Sequence, residues 1–298
     1  MIEARGIAKS YNDHQALKSL DLKIEKGSIF GLLGPNGAGK TTFIRIINQI
    51  IAPDKGELFF DGEKLSGKHI GRIGYLPEER GLYPKMKIGE QLLYLAQLKG
   101  LSKAEAQKRI HYWLERFELK DRVQAKVEEL SKGLAQKVQF IASVIHEPEL
   151  LILDEPFTGF DPVNTEHIKA EILRLNQEGA TIIFSTHRME SVEQLCENIL
   201  LINKGEKLIH GKLHDVKNQF KEGWYRIEYN SAWQAPEKSD WKVEHLPSRD
   251  GIFAYRVNLN GGPRKDLLDQ LNASELISFQ EEIPSLNDIF IQSTSGNE

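Results

Sequence analysis

One cysteine in 298 residues, Cys196, leaves no partner for an intrachain disulfide and fits a reducing compartment. It falls in MESVEQLCENILLI, where no motif surrounds it, and reads as a buried helical thiol rather than a reactive one. Long apolar runs are also missing. The longest, in ELLILDEP and ENILLINKG, are strand-sized, against the roughly 18 residues that span a bilayer, so the chain is not expected to cross a membrane itself. The N-terminal MIEARGIAKSYNDHQAL carries charges throughout and holds no apolar signal core. Nor is there a dense basic block. The 39 Lys and Arg are spread along the chain against 43 Asp and Glu, a net charge of −4, which disfavours a large nucleic-acid or lipid footprint. No internal repeat or low-complexity segment is present. What remains is an ordinary soluble composition, 28% charged, long enough for about two domains.

Residues 1–30 read as short strands, with Leu20, Leu22 and Ile24 alternating with polar residues and GSIFGLLG a short apolar strand ending in glycine. TTFIRIINQII has helical spacing, and GELFFDGEKL resembles a hairpin. From about 86 to 147 the pattern is helical only: IGEQLLYLAQLKG, then LSKAEAQKRIHYWLERFEL with a capping-box signature at Ser102 and Glu105, then LAQKVQFIASVIHEP. Strand-like LLILDEP, TIIFSTH and ILLINKG then alternate with two helical segments, which argues for a parallel α/β core with the helical stretch inserted in it. After about residue 216 the character shifts. Trp224, Trp233 and Trp241 lie here, WYRIEYN and IFAYRVNLN alternate like half-buried strands, and ISFQEEI reads as another. Pro263 and the proline of PSLNDIFI each read as the start of a helical turn, giving a separate small α+β domain.

GPNGAGKTT fits G-x-x-x-x-G-K-[ST] through Gly34, Gly39, Lys40 and Thr41, between a strand and a helix. Glycines let the backbone wrap a phosphate with its N–H groups pointing inward, and the following helix adds its positive end. Lys40 would reach the β/γ-phosphates, and Thr41 offers a hydroxyl to Mg²⁺, which prefers oxygen ligands. LLILDEP ends an apolar strand in Asp154, at the sheet edge where such folds bind ligands. Asp154 suits Mg²⁺, and Glu155 suits polarising the water that attacks a γ-phosphate. A second anion site is spelled ninety residues on: in EELSKGLAQKVQF, Ser131 and Gly133 precede an apolar-periodic helix.

With GPNGAGKTT, LSKG and LLILDEP in that order, residues 1–215 resemble the ATP-binding subunits of ABC transporters. The resemblance implies a P-loop NTPase core (RecA-like, mainly parallel sheet with an antiparallel β subdomain), a helical subdomain at about 86–147, and a small α+β domain at 217–298. It implies that ATP is held by Asn36, Gly37, Ala38, Gly39, Lys40, Thr41 and Thr42, with Tyr11 stacked on the adenine. Thr41, Asp154 and Glu78 would serve Mg²⁺, Glu78 standing in YLPEERGLYP where the family places a Q-loop. Asp161 of GFDP resembles the D-loop and His187 of FSTH the switch histidine. Glu155, His187 and Lys40 would carry hydrolysis. In the family, the signature loop of one subunit faces the nucleotide of another, so Ser131 and Gly133 would meet the γ-phosphate of a partner, in a homodimer or with a closely related subunit.

Three positions depart from the commonest pattern. Lys132 and Leu134 replace a signature glycine and glutamine, and Glu78 replaces the Q-loop glutamine. Lys132 either points to solvent or adds charge near the opposed phosphate; Leu134 cannot donate a hydrogen bond. Glu78 adds negative charge near Asp154 and Glu155, which tends to raise a carboxyl pKa unless a metal is bound. An exporter-like branch of the family combines Glu at this point with LSKG. The function expected is an ATPase on the cytoplasmic face of the cell membrane, driving a separate integral membrane permease, with no nucleic acid as partner. The alternatives are a soluble ABC-type ATPase acting on ribosome or DNA, which usually carries two cassettes or a long coiled coil, and a nucleotide-dependent regulator. The C-terminal domain is expected to serve dimer contact or regulation, or only to pack.

Overall fold

The computed structural model describes residues 1–12, 14–79, 81–236, 240–249 and 251–295. They fall into two compact units, Met1–Leu213 and His214–Glu298. The first opens with β1 (Ile2–Tyr11) and β2 (His14–Ile24). The strands expected here form one antiparallel pair of 10 and 11 residues, β1 being the segment IEARGIAKSY, with register shifts between Ala4 and Ser10. β3 (Ile29–Leu33) and α1 (Lys40–Ile47) follow, then the hairpin β4 (Lys55–Phe60) and β5 (Glu63–Lys64), and β6 (Ile73–Leu76), a four-residue strand closed by Pro77 that the pattern had not marked. Three helices come next: α2 (Ile88–Leu98), α3 (Lys103–Arg116) and α4 (Lys132–Val144). The Ser102 hydroxyl accepts from the backbone N–H of Glu105 at 3.2 Å, capping α3.

Strand and helix then alternate through β7 (Leu150–Asp154), α5 (Pro162–Gln177), β8 (Thr181–Thr186), α6 (Met189–Leu195) and β9 (Asn198–Asn203), ending in β10 (Glu206–Lys212). The main sheet runs β10-β9-β3-β8-β7-β6, parallel except for β10. β3 and β7 are buried along their whole length, as strands covered on both faces must be. A second sheet, β2-β1-β4-β5, is antiparallel. α1 supplies Phe43, Ile44, Ile46 and Ile47 to one core shared with Leu17, Leu20 and Ile24 of β2 and Leu200 and Ile202 of β9. Each such side chain contributes about 1.5–3 kcal/mol by leaving water, which fixes the start of α1 against both sheets. This is the mixed α/β architecture expected, a mainly parallel sheet beside an antiparallel one. Among the described residues no helix is long and apolar enough to cross a membrane. Cys196 is buried at the end of α6, and burial pushes its thiol pKa up, keeping it protonated.

α7 (Leu213–Gln219) leads into the second unit, which holds β11 (Trp224–Tyr229), β12 (Lys242–Arg249), β13 (Ile252–Asn258), α8 (Arg264–Leu268), β14 (Leu276–Glu281) and α9 (Leu286–Ser295). Its antiparallel sheet is ordered β12-β13-β11-β14. Tyr225, Ile227 and Tyr229, alternate residues of β11, face one core with Trp233, Tyr255 and Val257. Pro263 stands at the N-cap of α8 as expected. α9 is started by Ser285 rather than by the preceding proline: its hydroxyl accepts from the N–H of Asp288 at 3.2 Å, and the Asp288 carboxylate accepts from the N–H of Ser285 at 3.0 Å.

Candidate active site

The buried strand β3 delivers the chain into the loop 34–39, which turns directly into α1. Two glycines there are dictated by space and torsion together. At Gly34, with φ of 147°, a Cβ would lie 2.1 Å from the carbonyl oxygen of Ile202; at Gly39, with φ of 113°, 2.4 Å from that of Ala16. The loop is braced from behind by Gly205, whose N–H donates to the Ala38 carbonyl at 3.0 Å and whose carbonyl accepts from the N–H of Lys18 at 3.0 Å. Lys40 crosses the loop, its Nζ donating to the carbonyls of Gly34 at 2.7 Å and Pro35 at 3.1 Å. Burial pushes the Lys40 pKa down, while the carboxylates of Glu155, Asp154 and Glu78 hold it up.

Parallel pairing of β7 and β8 sets Asp154 beside Ser185, and the chemistry at the sheet edge follows from that register. Asp154 is buried; its Oδ1 accepts from the Ser185 hydroxyl at 2.8 Å, and its Oδ2 lies 3.4 Å from Thr41 Oγ1. Burial raises the Asp154 carboxyl, the Ser185 hydrogen bond opposes this, and the neighbouring Glu78 and Glu155 charges add to the rise. Glu155 sits in the left-handed region with φ of 50°, a strain of about 1–3 kcal/mol for a residue with a side chain. Three donors hold it there. Its Oε1 accepts from the N–H of His187 at 2.8 Å and from His187 Nδ1 at 2.7 Å, and its Oε2 accepts from the Thr186 hydroxyl at 3.0 Å. For Nδ1 of the half-exposed His187 ring to donate to a carboxylate it must carry a hydrogen, which in the neutral ring leaves Nε2 an acceptor.

Tyr11, Asn36, Gly37, Ala38, Gly39, Lys40, Thr41, Thr42, Glu78, Asp154 and Glu155 line one cavity of about 350 Å³, with His14 and Ala16 at its side. Tyr11 is exposed at 41%, leaving a ring face open at the rim, with Lys9 Nζ 5.8 Å from its centroid. Backbone N–H groups, a helix N-terminus and a lysine converge on a space of this size, a setting for a polyphosphate. The nearby oxygens of Thr41, Asp154 and Glu78 are the hard donors a magnesium ion takes. Among the described residues no group of three or more His, Cys, Asp or Glu is placed to hold a metal ion.

Ser131, Gly133 and Asp161 do not line this cavity. Ser131 caps α4, its hydroxyl accepting from the N–H of Leu134 at 3.4 Å, and is exposed together with Lys132. Gly133 lies near the loop before α5: a Cβ on it would be 3.9 Å from Gly159 O and from the Phe160 ring. Asp161 caps α5, its carboxylate accepting from the N–H of Asn164 at 2.9 Å, which holds its carboxyl below the usual range. Arg80, within the loop that carries Glu78, lies outside the described residues. Four supporting residues went unnamed in the sequence reading: Ser185, Thr186, Gly205 and Gln139. The first two stand inside FSTH and were within reach; Gly205 and Gln139 declare themselves only through tertiary contacts.

Comparison with known proteins agrees with this geometry. A family profile for ABC transporter matches residues 17–158, and one for the C-terminal domain of ATP-binding protein DrrA1-3-like matches residues 211–294. The chain is 43% identical to the ABC transporter ATP-binding protein YhaQ of Bacillus subtilis (strain 168), over 98% of each. It is 36% identical to the Nod factor export ATP-binding protein I of Cupriavidus metallidurans, covering 72% of each. A solved dimeric ATP-binding cassette in a post-hydrolysis state, bound to ADP and Pi, superposes with a TM-score of 0.66 at 26% identity, covering 72% of this chain and 99% of that one. The P-loop cavity with its Asp154–Glu155 edge, together with a relative matched along nearly the whole of both chains, shows that this chain belongs to the ATP-binding proteins of ABC transporters and is an ATPase.

Proposed function

We propose that two copies of this chain, or one copy and a closely related subunit, close head to tail around two Mg–ATP. Ser131 and Gly133 of each copy then complete the site formed by the other's P-loop. The support is the contrast between a nucleotide cavity that Ser131 and Gly133 do not line and a capped helix N-terminus whose Ser131 and Lys132 are exposed. In each site the loop 34–39 and Lys40 hold the phosphates, and Tyr11 stacks on the adenine. Thr41, Asp154 and Glu78 would hold Mg²⁺, which neutralises charge on the β- and γ-phosphates. Glu155 takes the proton of the attacking water. His187, held to it at 2.7 Å, fixes the carboxylate's direction and presents Nε2 toward the γ-phosphate. Asp161, next to the signature loop, faces the partner. Only ATP carries the γ-phosphate that bridges the two copies, so closure follows its presence and opens after hydrolysis.

Closure drives a separate membrane permease from the cytoplasmic face. The docking surface is the helical region with the segment YLPEERGLYPKM, where Tyr83 and Tyr94 pack edge to face at 6.2 Å and stay exposed, as does Leu98. Transport is outward, a reading supported by the export named for one relative. The unit from His214 onward serves dimer contact or regulation. The observation that carries the enzymatic reading is Glu155, held by three donors at the edge of the P-loop cavity. Glu155→Gln is expected to lower turnover at least about 100-fold while ATP affinity stays within a few-fold. Unchanged turnover in the purified variant would overturn the assignment.

A further inference from the structure

Gln139 is buried in α4, eight residues beyond Ser131 and so about 12 Å further along the helix. Its Nε2 donates to two carbonyls, those of Pro77 at 3.0 Å and Glu79 at 3.2 Å. These flank Glu78, so one planar amide clamps the backbone on both sides of that residue. Among the described residues its buried Oε1 has no hydrogen-bond partner. Turning the amide over would set that oxygen against two carbonyl oxygens, so the observed orientation is the one the loop dictates. A hydrocarbon side chain would fill the same space without leaving an acceptor unpaired, and the glutamine therefore costs stability that packing does not return. The far end of the loop is held alike: Gln91 of α2, also buried, accepts from the N–H of Tyr83 at 3.2 Å.

We propose that Gln139 is a positioning residue for Glu78, tying the carboxylate of the chain's own nucleotide site to the helix that offers Ser131 and Gly133 to a second copy. A shift of α4, made as its N-terminal end engages a partner's phosphate, carries the backbone of Glu78 with it. The two sites of a dimer are then joined within each chain by a single amide. This rests on the reading of Glu78 as facing Mg²⁺, and the test separates the two.

The probe is a fluorescent non-hydrolysable ATP analogue at fixed concentration, titrated with Mg²⁺ to find the half-maximal point for binding. Glu78→Ala and Gln139→Met are each expected to raise that point about tenfold, Gln139→Met through two lost hydrogen bonds. In the Glu78→Ala background, Gln139→Met is expected to change it less than twofold, because the residue acts only through Glu78. Gln139→Glu, of the same shape but with an oxygen facing the two carbonyls, must raise the point at least as far as Gln139→Met. Wild-type behaviour of Gln139→Met or Gln139→Glu, or an undiminished rise in the Glu78→Ala background, overturns the positioning role. Wild-type behaviour of Glu78→Ala overturns the Mg²⁺ reading of Glu78 and the positioning role with it.

Discussion

The starts of α1 and α4 are built from the same materials. Each is a helix N-terminus preceded by glycine or a small hydroxyl residue, with free N–H groups and a positive dipole end. They differ in surroundings. The start of α1 lies under two sheets, with Lys40 and Asp154 buried and a cavity in front of it. The start of α4 stands in water, with Ser131 and Lys132 both exposed. Charge interactions are far stronger in the enclosed setting than in solvent, so under the function proposed the first end binds a phosphate on its own and the second needs something to exclude water from it. A motif of this kind states what could be bound; burial decides whether one chain suffices.

Substitutions at the two ends should therefore fail in different ways. Lys40→Ala removes a charged donor from the enclosed site, and ATP affinity of the isolated chain is expected to drop about 100-fold by nucleotide titration. Ser131→Arg should leave that affinity within about twofold, since the residue does not touch its own cavity, yet lower turnover to a comparable degree. Equal losses of affinity in both variants would erase the distinction.

The C-terminal end of α4 gives a smaller, pH-dependent test. His146, just beyond it, is buried with Nε2 bonded to the Ile73 carbonyl at 3.2 Å. Burial lowers its pKa to about 4, with the Lys99 charge adding and the Ile73 hydrogen bond opposing. The unfolded chain takes up this proton near its ordinary value of about 6.5, before the folded chain does. The His146 contribution is therefore complete above about 6.5 and is lost as pH falls toward about 4, up to about 3 kcal/mol. The thermal unfolding midpoint of wild type should fall relative to that of His146→Leu as pH drops through that window. A constant gap would contradict the argument.

Contiguity separates what was legible in the sequence from what was not. The loop 34–42 could be read because its chemistry sits in nine consecutive residues. Asp154, Glu155 and His187 were readable as family motifs, but their bonding was not, because residues 31 and 32 positions apart meet only through the β7–β8 register. β6 escaped because four residues before a proline show too little alternation, and β12 because Pro247 interrupts its pattern. Gly205 and Gln139 act through backbone atoms of distant loops, which no spacing in the sequence announces.

The central claim is that the exposed start of α4 completes the nucleotide site of a second chain. Light scattering on the Glu155→Gln protein, with ATP and then with ADP, tests it most directly. A mass near twice the monomer's 33.9 kDa is expected with ATP, a monomer with ADP, and a monomer with ATP once Ser131→Arg is added. An ATP-dependent dimer that survives Ser131→Arg, or no dimer with ATP at all, would contradict it.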